Sequence, residues 1–172
     1  MSADHIRQSM ARLAQHFDEH PQDAITQDKP AVATLESGLR CKALGPKGET
    51  LVTDMPSAIG GSGSAPTPGW YLRAALANCD ATLIAMRAAQ LGIALSTLEV
   101  SVGSRSDNRG LLGSAQGVAA GPLDMALSVR IAAPGVPAQT LHELVDWAEA
   151  HSPVGDALRR SLSLKAAVQV LD

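Results

Sequence analysis

"TPGWYLRAALANCDATLIAMRAAQLG" runs from Thr67 to Gly92, and its reading decides the fold. Thr67 is a good N-cap, Pro68 suits the first helical position and Gly92 can take the left-handed conformation just past the end, so one long helix is predicted between them. Leu72, Ala75, Leu76, Leu83, Ile84 and Met86 cover nearly every direction around its axis. A helix apolar on most sides is predicted to be the buried centre of the fold. Cys79 lies in the middle of it, between Asn78 and Asp80. Surroundings of leucine and methionine keep a thiol inert, and a free cysteine is among the most buried residue types. A reactive role requires a cation or a helix N-terminus close to the sulfur.

On the N-terminal side, Ile6, Met10, Leu13 and Phe17 recur at helical spacing, which predicts an amphipathic helix over 4–20 that docks on a partner or on its own domain. Short β-like runs follow at 31–35, 39–44 and 49–54, a mostly antiparallel meander with a "GPKGE" turn at Gly45–Glu49. "PSAIGGSGSAPTPG" (Pro56–Gly69) has neither the GK[ST] of a phosphate loop nor GxGxxG spacing, and reads as a flexible connector. Beyond the helix, 98–102 and 123–131 alternate as strands around a long loop, "SRSDNRGLLGSAQG". An amphipathic helix over 137–150, a short helix from Ser152-Pro153 to Leu158, and a closing strand over 162–171 complete the order. Runs of strands separate from helices indicate an α+β fold: an antiparallel meander and sheet packed on a long buried helix. Residues 1–28 are expected to form an N-terminal helical extension and 29–172 a single domain.

The chain has 172 residues, 45% of them apolar, and a net charge of −3. With four aromatic residues and no basic run, it lacks both the stacking platform and the charge of a nucleic-acid surface. No membrane partner is expected, because the most hydrophobic segment is interrupted by Asn78, Asp80, Arg87 and Gln90, and the start has no apolar signal region. A cytoplasmic protein is expected. Two cysteines, Cys41 and Cys79, with no CxxC and no Cys/His cluster, predict neither a disulfide framework nor a metal site. No GxSxG occurs, and the "HEL" at His142 has no second histidine one turn on.

Thr53–Val102 resembles the OsmC/Ohr superfamily, the osmotically induced and organic-hydroperoxide-resistance proteins. Pro68 lies eleven residues before Cys79, inside a run matched by Leu72, Ala75, Leu76 and Cys79, and Leu98-Glu99-Val100 matches the continuation. "HSPVGDALRR" (His151–Arg160) resembles the same family's C-terminal thiol motif, and "DNRGLLG" (Asp107–Gly113) looks like its less studied branches. The resemblance implies an OsmC-like fold and an intertwined homodimer with each thiol site at the subunit interface. It also implies a peroxidatic role for Cys79 in reducing organic hydroperoxides. The family's second cysteine is replaced by Ser152, which suits a helix N-cap but cannot close a disulfide. The family's glutamate after the motif proline is replaced by Gly69 and Trp70. Arg40 is the candidate for the activating arginine that family members supply from the N-terminal part, and an exposed strand arginine is its plainer reading.

Two functions stay open on these residues. In one, Cys79 reduces a small hydrophobic peroxide, no bound cofactor is needed, and an external thiol resolves the oxidised sulfur. In the other, a dimer has kept the fold and lost the redox pair, serving as a non-catalytic binding or structural module. Trp70, Leu76, Thr82 and Trp147 are the candidate walls of an apolar pocket, and both tryptophans equally suit a core. Cys41, beside Arg40, can pair with Cys79 only if their Cα atoms come within roughly 7 Å.

Overall fold

The computed structural model describes residues 2–171. Helix α1 (Ala3–Glu19) is capped by Ser2, whose side chain accepts from the His5 backbone N–H, and a short 3-10 turn (Pro21–Ala24) follows it. Strands β1 (Val32–Ser37), β2 (Arg40–Leu44) and β3 (Thr50–Thr53) form the antiparallel meander, in the order β1-β2-β3. Leu35 faces Cys41, which faces Thr53, and Ala33 faces Ala43, which faces Leu51. Because side chains alternate across a strand, these residues share one side of the sheet.

Helix α2 (Pro68–Gln90) begins where its caps predict: the Thr67 side chain accepts from the Trp70 backbone N–H at 3.2 Å, and Gly92 follows the end at φ +69°. Within the chain its burial is narrower than its composition predicts. The buried stripe is Leu76, Asp80, Ile84 and Ala88, joined by Ala89, each stripe member one turn after the last. Leu83 is half-buried and Trp70 is 47% exposed. Helix α1 runs against α2, with Ile6, Met10 and Phe17 half-buried and Leu13 exposed, so the N-terminal helix docks on its own chain.

Strands β4 (Thr97–Ser106) and β5 (Pro122–Ala132) pair antiparallel, both longer than their apolar alternation predicts. Leu98, Val100 and Val102 oppose Ile131, Val129 and Leu127 on the half-buried side, where β4 meets α2. On the other side Glu99 pairs with Arg130 and Arg105 with Asp124. The loop between the strands is a corrected expectation, since it contains a one-turn helix, α3 (Asn108–Leu112), capped by Asp107. It is closed tightly: a Cβ on Gly110 would lie 2.0 Å from the Ala119 carbonyl oxygen.

Helices α4 (Ala138–His151) and α5 (Pro153–Arg159) both pack on α2. Leu144 and Ala148 of α4 are sealed with Ile84 and Ala88 at 2% exposure or less. Burying an isoleucine or leucine side chain stabilises by about 1.5–3 kcal/mol, so this seam anchors the fold.

The closing strand over 162–171 does not form. Residues 161–171 have no ladder partner, and Leu164, Val168 and Val170 are 86–96% exposed. A strand needs a neighbouring edge for its backbone N–H and C=O groups, and the tail pairs with none of the open edges that β1, β3, β4 and β5 leave. No helix among the described residues is long and apolar enough to cross a membrane.

Candidate functional site

Cys79, half-buried on α2, meets the start of α5. Ser152 is fully buried there, caps α5 by accepting from the Gly155 backbone N–H at 3.0 Å, and donates its hydroxyl to Cys79 Sγ at 3.3 Å. Gly155 permits this approach, since a Cβ on it would lie 3.0 Å from Ser152 Oγ. Ser152 therefore performs two tasks at once. It satisfies an orphan helix donor, and it places a polar hydrogen on the Cys79 sulfur of α2.

Arg40 lies elsewhere. Its guanidinium donates to Glu36 at 2.9 Å and to Ser64 Oγ at 2.8 Å, and among the described residues no hydrogen bond links it to Cys79. The meander that carries it makes no extensive contact with any helix of its own chain. Cys41, on the same strand as Arg40, and Cys79 are both free thiols. Arg73 donates to Ser104 of β4 rather than turning toward the sulfur.

The four candidate pocket residues are not brought together. Leu76 is buried and lines a cavity between α2, β5 and α5. Thr82 is exposed, and Trp70 meets Tyr71 edge-on with ring centres 5.0 Å apart. Trp147 stacks on His151 at 4.1 Å, with the Arg87 guanidinium 5.0 Å from its ring centre. Arg87 is eight residues beyond Cys79, about 12 Å along the helix, so Trp147 of α4 meets α2 at a different place from the sulfur.

Two polar features escape a sequence reading. The first is Asp54, 1% exposed at the end of the meander. Its carboxylate accepts from Ser62 Oγ (2.5 Å), from the Ser64 N–H and Oγ (2.9 and 2.8 Å) and from the Met55 N–H (2.7 Å). These donors, the Ser62 hydroxyl foremost, hold its carboxyl well below the usual carboxylate range. The glycine- and serine-rich stretch is thus wrapped around a carboxylate instead of being a loose connector, and Gly61 passes so close to the Met55 carbonyl that any side chain would collide with it. The second is Asp80, 2% exposed, whose Oδ1 has no hydrogen-bond partner. A buried polar atom left unpaired costs about 1–3 kcal/mol, so it calls for an explanation. The sequence signal for Asp80 was its interruption of an apolar helix, without an indication of its direction.

Comparison with known proteins agrees with this architecture. The structure is similar to that of an OsmC-like protein from Mycoplasma pneumoniae, with a TM-score of 0.66 and 16% identity over 78% of this chain and 89% of the other. An organic hydroperoxide resistance protein OsmC from Legionella pneumophila superposes with a TM-score of 0.57 and 19% identity, covering 78% and 92%. The organic hydroperoxide resistance protein OhrB of Bacillus subtilis gives 0.50 and 18%, covering 76% and 91%. No curated protein matches the sequence. The sequence model of the family described as OsmC-like protein matches residues 61–167, from the Asp54-binding loop through α2, both long strands and α5 into the tail, and this chain belongs to that family.

Proposed function

We propose that the protein is a redox protein of the OsmC type in which Cys79 reduces organic hydroperoxides, with Ser152 as its hydrogen-bonding neighbour in place of a second redox cysteine. The observation that carries this reading is the Ser152 Oγ–Cys79 Sγ hydrogen bond across α2 and α5. Support also comes from the two similar structures named for organic hydroperoxide resistance. The Cys79 thiolate attacks the terminal oxygen of the hydroperoxide, the O–O bond breaks, the sulfur keeps that oxygen with its hydrogen as a sulfenic acid, and the alkoxide takes a proton from water and leaves as the alcohol. Ser152 cannot supply a sulfur. An external thiol therefore condenses with the sulfenic acid, releasing water, and a second thiol frees Cys79 as the external disulfide departs.

The uncovered parts of the chain favour a homodimer. The meander leaves Val32, Leu35, Leu44 and Leu51 36–63% exposed, and the apolar tail is paired with no strand of its own chain. A second copy supplies both missing surfaces, and it brings a second Arg40 to the assembly.

One observation favours the alternative, a non-catalytic dimer: among the described residues no arginine or lysine donates to Cys79. The two readings separate in one experiment, hydroperoxide-dependent oxidation of a small thiol together with the alkylation rate of Cys79 as a function of pH. The catalytic reading expects turnover that disappears in Cys79→Ser, and alkylation about tenfold slower in Ser152→Ala, the size of one lost hydrogen bond to a charged group. Absence of turnover with several bulky hydroperoxides, with a Cys79 that resists alkylation in the folded protein, establishes the alternative.

A further inference from the structure

A cavity of about 580 Å³ lies between the start of α2, a 3-10 turn that precedes it (Ser57–Ile59) and α3, within the size range of small-molecule sites. Its apolar walls include Leu72 and also Ile59, Leu111 and Leu112, which are 36–62% exposed. Two close backbone approaches hold these walls, Gly61 on the Met55 carbonyl and Gly110 on that of Ala119, and neither leaves space for a Cβ. The charged residues on the lining are Arg73 and Asp107. Asp107 is answered by Arg109, whose Nε lies 3.0 Å from its Oδ1. Arg73 is not: half-buried, it donates to the neutral Ser104 Oγ at 3.3 Å, and among the described residues no carboxylate pairs with it. Its guanidinium folds back over the first turn of α2, with Nη1 3.8 Å from where a Cβ on Gly69 would lie, so the positive end of a 23-residue helix adds to its charge.

We infer that this cavity binds an aliphatic carboxylate, its head on the Arg73 guanidinium at the start of α2 and its hydrocarbon body on Ile59, Leu111 and Leu112. The one unanswered charge on the lining is a cation, so it selects an anion over an alcohol and opposes an ammonium. A carboxylate presents two acceptor oxygens to the guanidinium fork, and its single charge matches a single arginine. The uncovered isoleucine and leucines favour an apolar body, which a small inorganic anion lacks. Gly69 keeps the approach to Arg73 open by having no side chain of its own there. Neither cysteine lines the cavity, so the site stands independently of the peroxide reading.

The test is calorimetric titration of the full chain with hexanoate, octanoate, 1-octanol and n-octylammonium. Octanoate is expected to bind saturably and roughly tenfold more tightly than hexanoate, from its two further methylenes. Octanol is expected to bind roughly tenfold more weakly than octanoate, the size of a lost hydrogen bond between charged groups, and octylammonium to give no saturable heat. Arg73→Gln should weaken octanoate by a similar factor. The sharpest variant is Gly69→Glu. A Cβ at this position meets its nearest neighbours at 3.8 Å or more, and a glutamate suits the first turn of a helix, so the fold is kept while the new carboxylate takes Arg73 from the ligand. Octanoate binding should vanish in Gly69→Glu and persist in Gly69→Ala. Cys79→Ser should leave binding unchanged whatever it does to peroxide turnover. Equal affinity for octanol and octanoate, undiminished octanoate binding in Gly69→Glu, loss of binding in Cys79→Ser, or no saturable heat because a second copy covers the cavity would each overturn the proposal.

Discussion

Ile84 and Leu144 are sealed between α2 and α4 at 0% and 1% exposure, whereas Leu35 in the meander and Leu164 in the tail show 63% and 96% of their surfaces. Both regions are rich in aliphatic residues, so hydrophobicity does not distinguish them. The difference is whether the chain itself supplies the opposing surface. Helices joined by short connections fold back on one another and complete their own core, while a sheet face or a lone strand waits for a neighbour. The Cys79–Ser152 pair lies in the self-sufficient region, and Arg40 in the other.

Substitutions can break or sharpen this contrast. The largest effect is expected from Ile84→Ala, which should cost about 2–5 kcal/mol in denaturant unfolding, because a fully buried side chain leaves a cavity that its neighbours fill only in part. A cost below about 1 kcal/mol would mean that the α2–α4 seam is not the anchor. Next comes Asp54→Asn, at the junction of the two regions. Its carboxyl is held below its unfolded value, so its contribution is fully present above about pH 4 and is lost as the pH falls further. Wild-type Tm should therefore drop on acidification below that point more steeply than that of Asp54→Asn, and at neutral pH the variant should melt several degrees lower. Parallel pH profiles would remove Asp54 as the fastener of the serine loop. The smallest effect on folding is expected from Leu164→Asp. An exposed tail residue should change the unfolding free energy by no more than about 0.5 kcal/mol, yet lower the association seen by sedimentation across a concentration series. A large unfolding cost without any change in association would place the tail in the chain's own core.

The helices and the paired strands were legible because their signals are local. Thr67, Pro68 and Gly92 mark both ends of α2, and Met125, Leu127 and Val129 alternate along β5 regardless of what they touch. The tail shows where local reading stops: Leu162, Leu164, Val168 and Val170 have the period of a strand, but a ladder depends on an edge that the period cannot name. Helix α3 is five residues long with Gly110 inside it, too short to show any period. The site was legible in the same divided way. Cys79 drew attention as a lone sulfur in an apolar helix, but its partner is 73 residues away, and family resemblance rather than spacing pointed to Ser152. The serines around Asp54 show in the sequence only as composition, because nothing in a run of small residues says that they converge on a carboxylate. Asp80 shows in the sequence as a break in hydrophobicity. Its inward direction follows from sharing a stripe with Leu76 and Ile84, a consequence of how α2 is turned toward its neighbours.

Trp147 gives the α4–α5 junction a built-in optical gauge. Its indole is pressed on His151, whose Nδ1 lies 2.7 Å from the Trp147 carbonyl oxygen, and His151 is the residue immediately before Ser152. Any event at the sulfur that displaces Ser152 must tug on that stacked pair, so emission from one indole, read with Trp70 replaced by phenylalanine, would follow the chemistry in real time without a label.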